Sequence, residues 1–201
     1  MIIMTALTIL KNELKDYLEG RSAWTSTNNV HLSNIGQLDI SNNVDYKESV
    51  LIGLVNTERE NTLRNTGTYR KTSVNGTFEY TNPYEYLNLY ILFCSNFDSH
   101  DKALTWLSYI FEFFQSKNCF NYMLSPSVQN SGMSGTQKAE FELVLDHHSL
   151  TFEQVNHLWG SLGGKQLPFA LYKARLVEIK SEQVTGSGTP IEQIQSVENI
   201  Y

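Results

Sequence analysis

The sequence predicts an α+β protein: a single mixed β-sheet with helices packed against it, followed by an extended C-terminal arm. Three observations carry this. Helical and strand periodicities are interleaved along the chain, with connections of hairpin length between them. The stretch LNLYILFCSNF, residues 87–97, is apolar enough to form a strand in the middle of a sheet. The segment from Leu158 to Ile179 combines a helix end, a tight turn and a long strand.

Taken in order, the first element is an amphipathic helix. Leu7, Leu10, Leu14, Tyr17 and Leu18 recur at three- and four-residue steps, with Thr5 or Thr8 as N-cap and Gly20 as the stop. Such a helix packs on a sheet, or its stripe serves an oligomer contact. Residues 21–43 are rich in Ser, Thr and Asn and read as a loop with one or two short strands, the better one at Gln37 to Ile40. Val50 to Val55 is a short apolar run, consistent with a strand buried on both faces. Residues 57–83 are polar and predict an extended hairpin or a long mobile loop; Asn75-Gly76 is a hairpin-turn signal. Arg59, Arg64, Arg70 and Lys71 gather in this stretch and are candidate assembly contacts, the alternative being a solvated loop tip.

After the central strand, Ala103, Leu104, Leu107, Ile110, Phe111 and Phe114 make a wide apolar stripe, predicting a buried helix over 101–117. Phe120 to Leu124 reads as a short strand and residues 125–137 as a turn-rich loop. Phe141, Leu143 and Leu145 alternate with mostly polar neighbours, as in a half-exposed strand. Thr151 and Gln154 form a capping box that opens a helix. Gly163-Gly164 ends it, because glycine adopts the left-handed conformation at no steric cost, and Pro168 prevents its resumption. Trp159 is expected against the sheet. Phe169 to Ile179 is aromatic and β-branched, a long strand for which an edge position is open.

Residues 181–190, SEQVTGSGTP, read as a flexible polar link. Beyond it Ile191, Ile194, Val197 and Ile200 recur every third residue. They are too few to fold alone, so they form either an arm that docks elsewhere or a frayed tail. The organisation expected is a domain over residues 1–180 and an arm over 181–201.

Composition narrows the function classes. Hydrophobic residues make up 41% of the 201 positions and charged residues 18%, enough apolar content for a packed core. A net charge of −6 argues against a general nucleic-acid surface, which needs clustered Lys and Arg. Cys94 and Cys119 lie in apolar stretches and read as reduced core thiols, with one disulfide left open. The first residues lack a basic region and a cleavage site, and no apolar run is long enough to span a bilayer. A chain made in the cytoplasm and not inserted in a membrane is expected.

Catalytic signatures are missing from the sequence: no GxSxG, HExxH, Walker A or GxGxxG occurs, and no cofactor is expected. Of the five histidines, His147 and His148 are adjacent near a strand end, where successive side chains point to opposite faces. A metal site from Asp146, His147 and His157 is the alternative to turn and capping roles.

Three stretches carry a family resemblance: NPYEYLNLYILFCSNF, ALTWLSYIFEFFQSKNCF and LTFEQVNHLWGSLGGKQLPFALYKARLVEI. Their most specific pieces are Asn88-Leu89-Tyr90, Phe113-Phe114-Gln115, Asn156 through Gly160, Leu162 through Lys165, Pro168, and Leu171-Tyr172-Lys173. Across most of residues 1–180 the chain resembles the cap, or tail-terminator, proteins of contractile injection systems. One position departs, with Phe169 standing where the family usually carries a small serine. The resemblance implies a non-enzymatic, phage tail-terminator-like protein without cofactors. Its implied state is a ring, typically of six copies, with the inner tube and sheath proteins of a type VI secretion-like particle as partners. The particle would assemble in the cytoplasm, with release outside the cell left open. Two readings from other classes stand beside it: a small metal-dependent hydrolase using the histidines, and a monomeric adaptor for cargo or membrane anchoring.

Overall fold

The computed structural model describes residues 2–21, 23–25, 29–38, 46–60, 69–72, 78–82, 85–179 and 184–188. The chain divides into two compact units, one of residues 1–59 and 87–177, the other of 60–86 and 178–201.

The first unit is built on a six-stranded sheet. In chain order its elements are α1 (Ile2–Glu19), β1 (Asn29–Leu32), a 3₁₀ turn (Ile35–Gln37), β2 (Ser49–Arg59), β5 (Glu85–Asn96) and α2 (His100–Ser116). There follow β6 (Cys119–Asn121), α3 (Pro126–Gln129), α4 (Gly135–Glu140), β7 (Glu142–His147), α5 (Phe152–Ser161) and β8 (Phe169–Ile179). The strand order is β1-β2-β5-β8-β7-β6. β1 runs parallel to β2, whereas β2 with β5, β7 with β8 and β6 with β7 are antiparallel.

Strand periodicity sorts the core into two clusters, one for each face. Toward α1 and α2 point Val50 and Ile52, Leu89, Ile91 and Phe93, Leu143 and Leu145, and Ala170, Tyr172 and Ala174. The opposite face presents Leu51, Leu92, Cys94 and Leu171 to Trp159 of α5 and Ile35 of the 3₁₀ turn. Residues 49–53, 88–89 and 91–95 are buried whichever way they point, the result of covering the sheet on both sides. The apolar run at 87–97 is indeed central, between β2 and β8.

Glycine matters at two places here. A Cβ on Gly53 would lie 2.8 Å from Ile35 Cδ1 and 3.2 Å from the Ser33 carbonyl, so its absence lets the crossover after β1 lie directly on β2. Gly163 and Gly164 have φ of 98° and 79°, and the Gly164 N–H donates to the Trp159 carbonyl at 2.7 Å, closing α5 as expected.

Several elements differ from the sequence reading. Helix α1 begins at Ile2, ahead of both proposed caps; the Thr8 hydroxyl instead donates to the Met4 carbonyl within the helix. Its buried face is Ala6, Ile9, Leu10, Leu14 and Leu18, rotated slightly from the predicted stripe. In α2, Trp106 and Phe113 are buried while Leu104 and Phe111 are exposed, so the stripe is narrower and turned. The first short strand is β1 at Asn29–Leu32, whereas Ile35–Gln37 is a 3₁₀ turn. The loop at 125–137 contains α3, with Pro126 at its first turn, and the start of α4, whose Ser134 and Gln137 form a complete capping box. Strand β8 lies inside the sheet between β5 and β7, not at an edge.

The second unit contains a three-stranded antiparallel sheet of β3 (Tyr69–Thr72), β4 (Phe78–Thr81) and β9 (Val184–Gly188), in the order β3-β4-β9. The polar 57–83 stretch thus ends in a hairpin. The segment read as a flexible link carries β9, whose Gly186 and Gly188 stand opposite Tyr80 and Phe78 of β4. Asn75 and Gly76 lie outside the described residues.

Candidate assembly surface

The two edges of the six-stranded sheet carry different features. At the β6 edge the chain turns sharply after Asn121. The Asn121 Oδ1 accepts from the backbone N–H groups of Met123 and Leu124 at 3.1 and 3.0 Å. The Gln129 side-chain amide donates to the Tyr122 carbonyl at 2.9 Å, and Lys117 Nζ to the Leu124 carbonyl at 2.7 Å. This fixed turn holds three consecutive large apolar side chains out of the core: Tyr122 is 48%, Met123 88% and Leu124 58% exposed. The sequence suggested a strand through Leu124. The turn wins because the short polar side chain of Asn121 satisfies two backbone donors that a sheet edge would leave to solvent.

Lys117 is itself anchored from inside. Its Nζ lies 2.6 Å from the Glu13 carboxylate, which is only 8% exposed, and Ser127 N–H donates to the other Glu13 oxygen at 2.9 Å. One acid on α1 therefore positions the end of α2, the turn and the start of α3 together. Breaking such a buried pair is costly, because the remaining charge loses its partner.

At the other edge, near the starts of β1 and β2, a cleft of about 300 Å³ is lined by Ala23, Thr25, Glu48, Asp101, Lys102, Thr105 and Trp106. Trp106 is held by parallel stacking on Phe97 at 5.3 Å and by edge contacts with Trp24 and Tyr109. Glu48 has a positive φ of 48°; its carboxylate accepts from Asp98 N–H at 3.1 Å and pairs with Lys102 at 3.2 Å.

The sheet face beyond α5 is polar. Lys173 Nζ and the Tyr90 hydroxyl both donate to the Glu58 carboxylate, at 3.0 and 2.7 Å, and Arg175 pairs with Asp146 at 2.5 Å. The bond to Glu58 holds the Lys173 ammonium above its ordinary pKa. These pairs are exposed enough to be worth little for stability.

The described members of the predicted contact set fall in both units. Arg59 is exposed at the end of β2. Arg70 and Lys71 lie in β3, opposite Tyr80 and Glu79 of β4. Arg64, Ile191, Ile194, Val197 and Ile200 fall outside the described residues. The histidine site is not assembled: His147 packs edge-on against Phe111 and Tyr172 on the α2 side, His148 against Tyr90, and Asp146 is engaged by Arg175. Among the described residues no group of three His, Cys, Asp or Glu side chains could hold a metal ion, and no helix is long and apolar enough to cross a membrane.

Trp159 is 4% exposed and meets Phe169 edge-on at 5.4 Å, so the residue that departs from the family pattern fills space beside the buried indole. Cys94 and Cys119 are both free thiols. Burial raises the pKa of each, that of Cys119 aided by its hydrogen bond to Glu142.

The comparisons with known proteins agree with this geometry. The family described as the Pvc16 N-terminal domain matches residues 5–193, nearly the whole chain. The chain belongs to that family. Its fold is similar to that of the sheath/tube terminator of an extracellular contractile injection system, PVC, in the extended state. That similarity has a TM-score of 0.63 at 13% identity, over 99% of this chain and 64% of the other. It is also similar to the tube-terminating cap of the anti-feeding prophage, with a TM-score of 0.58 at 11% identity, over 96% of this chain and 60% of that one. This Pvc16 N-terminal domain therefore spans somewhat less than two thirds of the length of those terminators. No curated protein matches it. The α+β architecture expected from the sequence is the one these caps share.

Proposed function

We propose that this chain is a structural cap, or tail terminator, of a contractile injection particle. It forms a ring that closes the end of the inner tube, the last sheath ring, or both, and so ends assembly. The observation that carries this reading is the match of residues 5–193 to the Pvc16 N-terminal domain, supported by the fold shared with two terminator caps. At these identities the structural likeness supports the architecture, and the role rests on the family. The ring is of six copies, its partners are the tube and sheath proteins, and its action is non-enzymatic. Assembly occurs in the cytoplasm, and the finished particle acts outside the cell. Neither nucleic acid nor membrane insertion is part of the role.

The physical support is a sheet covered on both faces, which gives a rigid wall, with its free features placed at the two edges. Within this reading, residues 1–180 supply the cap domain. Residues 181–201, with Ile191, Ile194, Val197 and Ile200, contribute contacts to a neighbouring subunit or the sheath, as do Arg59, Arg64, Arg70 and Lys71. A chain ending at Gly188 would then melt as the full chain does but associate less.

The native mass of the purified protein tests the ring. A discrete species near six times 23.0 kDa is expected. A monomer at every concentration, alone and with the tube protein, would sink the ring and favour an adaptor.

A further inference from the structure

We propose that the Tyr122-Met123-Leu124 turn is a knob that enters the Trp106 cleft of a second copy of this chain, so that copies add head to tail. This inference rests on the ring reading above and names the contact that would build it.

The first support is chemical. A soluble chain gains nothing by holding three neighbouring large apolar side chains in water, yet five polar groups are spent on fixing this turn. Asn121, Gln129 and Lys117 hold its backbone, the Glu13 carboxylate holds Lys117 from behind, and the Ser127 N–H holds Glu13. A knob ordered before contact loses little conformational freedom on docking, which favours binding. The cleft offers the exposed Ala23 methyl over the nearly buried edge of Trp106, among Thr25, Asp101 and Thr105 and with the Glu48–Lys102 pair on its rim. Its volume of about 300 Å³ equals that of about ten liquid waters, room for the Met123 side chain and part of a neighbour.

The second support is placement. Helix α2 connects the two features: its first two turns wall the cleft, and Lys117, just past its end, pins the knob. Seventeen helical residues span about 25 Å at 1.5 Å each, so the knob does not reach its own cleft. The sheet order says the same, since the cleft lies by the starts of β1 and β2 and the knob follows β6, the opposite edge strand. A feature at one edge that fits a feature at the other makes a heterologous contact, which closes into a ring when the rotation per step allows.

The test uses the full chain. Met123→Asp on the knob and Ala23→Trp in the cleft alter exposed positions, so each variant should melt as the parent does, and each should weaken self-association at least tenfold by native mass across a dilution series. In a Cys119→Ser background, Met123→Cys and Ala23→Cys chains are mixed and mildly oxidised. A covalent dimer only when both are present is expected, and a ladder from the double variant. If both charge and bulk variants assemble like the parent and no cross-link forms, the contact is wrong while the ring stands. A dimer from Met123→Cys alone would mean like-to-like packing and would also overturn it. A parent chain that never leaves the monomer sinks the ring reading itself, and this contact with it.

Discussion

Replacing Trp159 with alanine tests how α5 is held on the sheet. The indole is 4% exposed, lies among Ile35, Leu51, Leu92, Cys94 and Leu171, and meets Phe169 edge-on. A buried tryptophan removes about 150–250 Å² from water, which at ~25 cal/mol per Å² is about 4–6 kcal/mol as an upper bound. Truncation to alanine in a packed core costs about 3–5 kcal/mol. One effect opposes this loss. The indole Nε1 is buried and finds no acceptor among the described residues. Deleting an unsatisfied donor returns about 1–3 kcal/mol. The net loss worked from the midpoints of these two ranges is therefore about 2 kcal/mol for Trp159→Ala. Trp159→Phe, which keeps an aromatic ring and removes the orphan donor, should cost under about 1.5 kcal/mol. Urea denaturation followed by far-UV circular dichroism measures both. An alanine loss below about 1 kcal/mol would refute the packing argument. A phenylalanine variant as unstable as the alanine one would refute the role given to the unsatisfied nitrogen.

Three further perturbations follow from the same structure. Glu13→Ala strips the partner from Lys117 and from the Ser127 N–H and should cost about 3 kcal/mol in denaturant; adding Lys117→Met should recover part of it, and no recovery would mean the pair is not the cause. Burial pushes the Tyr172 hydroxyl up to about 12, so the fold holds the neutral phenol. Its stabilisation of about 2–3 kcal/mol is complete below the unfolded value of about 10 and is lost as pH rises toward 12. Stability measured between pH 9 and 12 should fall less in Tyr172→Phe. Gly53→Ala places a methyl 2.8 Å from Ile35 Cδ1 and 3.2 Å from the Ser33 carbonyl, and should cost about 1–3 kcal/mol by melting; a neutral result would mean the crossover yields freely.

Much of the fold was legible because periodicity reports burial directly. The run at 87–97 had to be a central strand, and Thr151-Gln154 and Gly163-Gly164 marked both ends of α5 through local hydrogen bonding. Elements whose form depends on partners distant in sequence were not legible. Strand β8 is aromatic and β-branched, which left an edge position open, yet β7 pairs along its outer side. Strand β9 has two glycines and no apolar run; it is a strand because β4 offers it a ladder. Helix α4 was readable in principle, from Ser134 and Gln137, but the surrounding Ser, Gly and Asn spelled a loop more loudly. The knob was hidden for another reason: Tyr122, Met123 and Leu124 look like a buried strand end, and it is the polar contacts of Asn121, Lys117 and Gln129 that turn them outward. The basic and C-terminal contact candidates came from loop composition and a three-residue apolar spacing, which rank residues without placing them.

The central claim, termination of a tube, is tested most directly by the length of particles assembled from the cognate tube and sheath proteins with and without this chain, imaged by electron microscopy. The account predicts a narrow length distribution with extra density at one end when the chain is present, and long, uncapped tubes of scattered length when it is withheld. Equal length distributions in the two preparations, with no density at either end, would contradict it.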